Sequence, residues 1–265
     1  MGSEPRRVLL AGESWIMHTI HQKGVDSFTT TDYGTGHKWL QAALEAGGWQ
    51  VEHLPNHLAP ADFPTTAAEL AGYDVVILSD IGANSLLLSP DTFVRSLSAP
   101  NRLALLRDWV RGGGGLVMVG GYLTFQGIEA KGHYAGSPIE EALPVTLHHF
   151  DDRVEVPEGV TPRITASDHP LAAGLPDIWP ALLGYNRLMA RPQATTVAEA
   201  GDDPLVVAWQ YGDGRAVAFA SDCGPHWAPP AFVEWDGYAT LWQNIATWTA
   251  GAGTDWSVRR SVVSS

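Results

Sequence analysis

The chain has 265 residues, 45% of them hydrophobic, enough for one large α/β domain with a full core. Its net charge of −13 and pI of about 5.0 argue against nucleic acid or an anionic membrane as partner. A single cysteine excludes an intrachain disulfide framework. The apolar run after Arg6-Arg7 is too short for a leader peptide, no run is long enough to span a membrane, and the expected location is the cytoplasm.

In chain order, Arg7 to Ala11 reads as a buried strand ending at Gly12-Glu13-Ser14-Trp15. The polar stretch that follows, with His18, His21, Lys23, Asp26 and Tyr33, shows no repeating pattern and reads as a long functional loop. Trp39, Leu40, Ala43 and Leu44 keep helical spacing, and Gly47-Gly48 stops the helix. Trp49 to Leu54 alternates as a strand does, Thr66 to Ala71 suits a short helix, and Tyr73 to Leu78 is a β-branched buried strand ending at Ser79-Asp80. Leu103, Leu106, Trp109 and Val110 share one helical face, followed by four glycines and the strand Leu116 to Val119. This strand–helix alternation predicts a parallel sheet with helices on both faces.

Residues 133–200 carry no long helical pattern, and short strands are expected at Val154 to Val156, Arg163 to Thr165 and Thr195 to Ala198. Leu205 to Trp209 and Ala216 to Ala220 flank Tyr211-Gly212-Asp213-Gly214, a hairpin signal. The last helix aligns Tyr238, Leu241, Trp242, Ile245 and Trp248. One domain is expected over 1–251, with 252–265 as a flexible tail.

Four polar clusters fall just past predicted strands: Glu13-Ser14, Asp80 with Asn84, Gly120 to Tyr122, and Asp222 to His226. In a doubly wound sheet those ends share one edge, where ligands bind. His18, His21 and His226 suit general acid–base work beside Glu13, because the unperturbed imidazole is the side chain that changes charge near neutral pH. Cys223 and His226 at i, i+3 offer a nucleophile and its base, against the alternative of a small buried thiol. Lys23, Asp26, Asp80, Asn84, Asp222 and Tyr122 can orient a polar substrate, Trp15 and Trp227 can stack on a planar ring, and the Gly120 and Gly121 amides can serve as oxyanion donors. His18-x-x-His21 supplies two candidate metal ligands, with Asp26 or Glu13 as a third, although no HExxH helix is present. No metal or other cofactor is required by the pattern, and a divalent ion stays an option. Neither a Walker A loop nor a GxGxxG after the first strand is present, so the substrate class is a small polar molecule.

The stretches GESWIMHTIHQKGVDSFTT, YDVVILSDIGANSLLL, GGGGLVMVGGYLTFQGIEAKGHY, DDRVEVPEGVTP, DHPLAAGLP, LLGYNRL and SDCGPHWAPP resemble the class I glutamine amidotransferase-like superfamily, and within it the ThuA-like proteins. The resemblance implies a flavodoxin-like three-layer sandwich with a mostly parallel sheet and added β-hairpins in the C-terminal half. It adds Tyr185 and Asn186 to the substrate-binding set with Ser14. A glutaminase of this class carries a Cys-His-Glu triad with its cysteine on a G-x-C-x-G elbow. Here Tyr122 stands in the cysteine's place, Thr124 replaces the final glycine, and Ala228 stands where the glutamate two residues beyond His226 belongs. The resemblance therefore does not imply glutamine hydrolysis. The expected function is an enzyme on a small polar metabolite, a sugar derivative or cyclic amide, acting by hydrolysis, elimination or isomerisation. The alternatives are a non-catalytic binding or oligomerisation module and a metal-dependent enzyme using His18 and His21; a homo-oligomer is expected.

Overall fold

The computed structural model describes residues 5–251; the expected tail, 252–265, lies outside the described residues. Strand β1 (Arg7–Gly12) leads into β2 (Ser14–Lys23) and β3 (Asp26–Thr35), then α1 (Lys38–Ala46) and β4 (Gln50–Leu54). Short helices α2 (Ala59–Asp62) and α3 (Ala67–Leu70) precede β5 (Val75–Ser79). Helices α4 (Ala83–Leu87), α5 (Pro90–Phe93) and α6 (Arg102–Arg111) precede β6 (Gly115–Val119). Then come α7 (Pro138–Ala142) and the strands β7 (Val145–Thr146), β8 (Arg153–Val160), β9 (Pro162–Ile164), β10 (Leu182–Asn186), β11 (Met189–Ala190) and β12 (Thr195–Ala200). The chain closes with β13 (Asp203–Tyr211), β14 (Gly214–Phe219), α8 (Pro230–Val233) and α9 (Gly237–Thr249).

The main sheet runs β4-β1-β5-β6-β14-β13-β12-β9. The pairings from β4 to β14 are parallel, and those from β14 through β13 and β12 to β9 are antiparallel. The parallel part has the flavodoxin-like strand order, and its direction of winding reverses between β1 and β5. β5 and β6 are buried along their whole length, as strands covered on both faces must be. One group of helices pairs α1 with α9; the other joins α6 to α3, α4 and α7. Arg102 on α6 is buried, and its guanidinium donates to the carbonyls of Leu86, Ala59 and Pro60, which ties α6 to α2 and α4. Asn101 caps α6, and Thr66 with Glu69 forms a capping box on α3.

One sequence expectation is corrected here. Residues 15–33 are not a loop: β2 and β3 pair without interruption from Ser14↔Thr35 to Lys23↔Asp26. Both faces of this hairpin are open to solvent, so it has no buried side to impose a clear apolar–polar alternation. β13 and β14 form the hairpin expected in the C-terminal half around Gly212-Asp213, and β2–β3 adds a hairpin within the first 35 residues.

Candidate active site

The reversal between β1 and β5 places their carboxyl ends side by side, and each strand ends in a carboxylate with strained backbone: Glu13 at φ 48° and Asp80 at φ 44°. Gly12 makes the approach possible, because a Cβ there would overlap the Ser79 carbonyl oxygen. Glu13 donates its backbone N–H to that carbonyl and accepts a side-chain bond from Ser79 Oγ. Asp80 Oδ1 accepts from the Leu123 amide at 2.9 Å, in the turn after β6. The turn after β14 supplies Asp222, whose Oδ2 accepts from the Trp227 amide at 3.0 Å and lies 2.7 Å from His226 Nδ1.

Gly121, at φ 144°, is where these elements meet. A Cβ on it would lie 2.9 Å from Asp222 Oδ1 and 3.3 Å from Asp80 Oδ1, so two carboxylates flank the same bare backbone. Asn186 holds that backbone from behind: its Oδ1 accepts from the Gly121 amide at 2.9 Å, and its Nδ2 donates to Asp152 Oδ1 at 2.8 Å. Asp152 in turn accepts from the Gln126 and Gly127 amides.

Glu13, Trp15, Asp80, Tyr122, Asp222 and His226, with Gly36, Gly224 and Pro225, line a cavity of about 260 Å³. Burial, then the charges of Asp80 and Asp222, push the Glu13 carboxyl up to about 8. Burial, then Asp222, raises Asp80 to about 6. Asp222 is also raised, because its burial outweighs the bond to His226. His226 moves up from the ordinary histidine value, chiefly through its hydrogen bond to Asp222. At neutral pH the cavity thus presents a carboxyl that keeps its proton beside a carboxylate–histidine pair. The His226 side chain is 46% exposed, so its ring reaches the cavity. It stands edge-on to the Tyr122 ring and stacks beside Trp227.

The predicted residues divide clearly. The structure brings together Glu13, Trp15, Asp80, Gly121, Tyr122, Asp222 and His226. It does not bring His18 or His21 to them: these lie three and six residues beyond Trp15 on an extended strand, roughly 10 and 20 Å along it. Residues three apart on a strand face opposite ways, so His18 and His21 cannot share one ion. His18 instead contacts Thr31 Oγ1 at 3.0 Å, and His21 contacts Thr30 Oγ1 at 3.2 Å. Among the described residues, no group of three or more His, Cys, Asp or Glu side chains is arranged to hold a metal. Lys23 and Asp26 pair across the far tip of the hairpin, roughly 27 Å along the strand from Trp15.

Cys223 is fully buried, 3.6 Å from Ser79 Oγ and turned toward Glu13, and burial pushes its thiol up. It is not a nucleophile for His226, whose partner is Asp222. The Gly120 amide donates to Phe219 O, and Gly121's goes to Asn186, so neither is free as an oxyanion donor. Asn84 is exposed on α4. Ser14 is buried, and its Oγ accepts from the Asn56 amide at 2.8 Å. Tyr185 donates to Asp203, Asn186 is a support behind the wall, and the Trp227 indole is buried and donates to Glu155 Oε2 at 2.9 Å.

Three supporting residues escaped the sequence reading. Asn56 Nδ2 donates to the carbonyls of Ser14 and Asp80, tying the two strand ends together. Glu155 on β8 accepts from both Tyr122 and Trp227, and Arg153 lies 4.6 Å over the Tyr122 ring. The alternation of Arg153 and Glu155 put both on one strand face, but nothing local said which turn that face meets.

A model of the family "Putative glutamine amidotransferase" matches residues 7–251. The cytoplasmic protein STM3548 of Salmonella typhimurium is 44% identical, with a TM-score of 0.88 over 90% of this chain and 97% of that one. The cytoplasmic protein STM1381 of Salmonella typhimurium LT2 is also 44% identical, with a TM-score of 0.87 over 91% and 98%. A ThuA-like protein of Parabacteroides merdae shares the fold at 13% identity, with a TM-score of 0.57 over 95% and 92%. No curated protein matches the chain. Among the described residues no helix is long and apolar enough to cross a membrane.

Proposed function

The chain belongs to the "Putative glutamine amidotransferase" family, and on that premise we propose that it is an acid–base enzyme of a small polar metabolite, working in the cytoplasm like its Salmonella relatives. The observation that carries this reading is the pairing, on one cavity, of a buried carboxyl raised to about 8 with a histidine anchored by a carboxylate. Groups whose environments set their acidities apart in this way can divide the roles of acid and base. Asp222 takes the Nδ1 side of His226 and leaves Nε2 as the base. His226 removes a proton from substrate or from water, and Glu13 returns one to the oxygen or nitrogen that gains charge.

Three carboxyl groups, with no Lys or Arg among the lining residues, oppose a phosphate or carboxylate ligand. They suit hydroxyl or amide N–H donors, and Trp15 offers a ring for stacking. The substrate is therefore a neutral sugar derivative or cyclic amide, and the reaction an isomerisation, elimination or hydrolysis without a covalent cysteine intermediate.

The test is a thermal-shift screen of neutral sugars, keto-sugars, cyclic imides and amides. Each hit is then incubated in deuterated buffer and followed by NMR. Turnover or exchange that vanishes with His226→Ala, while the melting temperature stays within a few degrees, supports the proposal. Unchanged turnover in that variant sinks it. Ligand binding without turnover or exchange would instead assign a binding module.

A further inference from the structure

The β2–β3 hairpin leaves the main sheet at Ser14 and returns at Thr35, and between Trp15 and Tyr33 every residue except His21 is exposed. A two-stranded ribbon is marginal in water unless something covers it. Each of its ten-residue strands also has an edge with no neighbour in the sheet.

The register divides the ribbon into two unlike faces. Paired residues share a face and alternate along it, so Ile16, His18, Ile20, Gln22, Ser27, Thr29, Thr31 and Tyr33 point one way. That face carries no formal charge; Lys23, Asp26 and Asp32, the hairpin's only acidic or basic residues apart from its histidines, all lie on the other. The charged face supplies its own contacts: His21 stacks on Phe28 at 4.5 Å, and Lys23 lies over the same ring at 5.4 Å. The uncharged face leaves Ile16 50%, Ile20 74% and Tyr33 52% exposed.

We propose that the β2–β3 hairpin is an association arm, and that its uncharged face docks against a second copy of this chain. Charge selects that occupant. Each copy carries −13, so two copies approach most easily through a surface without acidic residues. The same surface offers no acidic group to a basic partner and no Lys or Arg to an anionic membrane. On that face Ile16, Ile20 and Tyr33 leave on the order of 350 Å² of apolar side chain open, taking about 200 Å² for each when fully exposed, and this patch would form the apolar centre of the contact with the polar side chains of the same face at its rim. The arm begins at Trp15, a wall of the cavity, so the interface and the site share one element.

Sedimentation velocity of the full chain at 1 to 100 μM, with the Ile20→Asp variant and the opposite-face control Thr19→Asp, tests this. The expected result is a dimer or closed oligomer that Ile20→Asp reduces to monomer and Thr19→Asp preserves. Circular dichroism melts verify that both variants are folded. Hydrogen exchange on the unaltered chain gives an independent reading: β2 and β3 amides should exchange more slowly at 100 μM than at 1 μM. A native chain that is monomeric throughout this range overturns the proposal and leaves a different partner as the occupant. An oligomer that a folded Ile20→Asp variant retains overturns it too, because the contact then lies elsewhere.

Discussion

Glu13 is buried with a carboxyl raised from 4.5 to about 8, so the folded chain holds a proton that the unfolded chain releases. Below pH 4.5 both states bind that proton, and Glu13 has no effect on the balance. As pH rises toward 8 the unfolded state ionises while the folded state does not, and each unit costs the fold about 1.4 kcal/mol. Above pH 8 the penalty levels off at on the order of 5 kcal/mol. Glu13→Gln keeps the shape and the acceptor for Ser79 but never ionises. The variant should match the native chain near pH 4.5 and exceed it by on the order of 5 kcal/mol at pH 9, a gain of on the order of 10 °C in melting temperature. It should also lose turnover, because glutamine cannot donate the proton. Urea unfolding of both proteins at the two pH values measures this. A stability difference that does not change with pH would refute the buried, protonated carboxyl.

Four other outcomes follow from the same geometry. Asp222→Asn removes the partner that raises His226, so the ring should titrate at lower pH in an NMR series; an unchanged midpoint would show that Asp222 does not set it. Gly121→Ala forces a Cβ between Asp222 and Asp80 at a φ that side chains avoid, and should cost about 2 kcal/mol in denaturant unfolding. The Cys223 thiol should react with a disulfide reagent only after denaturant is added, and rapid labelling of the native chain would contradict its burial. His18→Ala and His21→Ala should leave ligand-induced thermal shifts within error, since neither side chain lines the cavity; loss of the shift would return them to the site.

Much of the frame was legible in the residues alone. The short apolar runs Val8 to Ala11, Val75 to Leu78 and Leu116 to Val119, the second of them strongly β-branched, read as buried strands. The alternation with helices then sets a parallel sheet and one ligand-binding edge. That placed Glu13, Asp80, Tyr122, Asp222 and His226 at strand ends before any contact was known. Local sequence is silent on direction and distance, and the rest depended on those. Cys223 and His226 are three residues apart, yet one side chain turns inward to Ser79 and the other outward to the cavity. His18 and His21 read as neighbours, but an extended backbone sends them to opposite faces and carries them away from Trp15. The acidity of Glu13 is set by burial and by charges contributed from β5 and the turn after β14, more than 60 residues away in the chain. Only the closed sheet brings those charges together, so the sequence determines which groups are available and the tertiary structure decides which of them hold a proton.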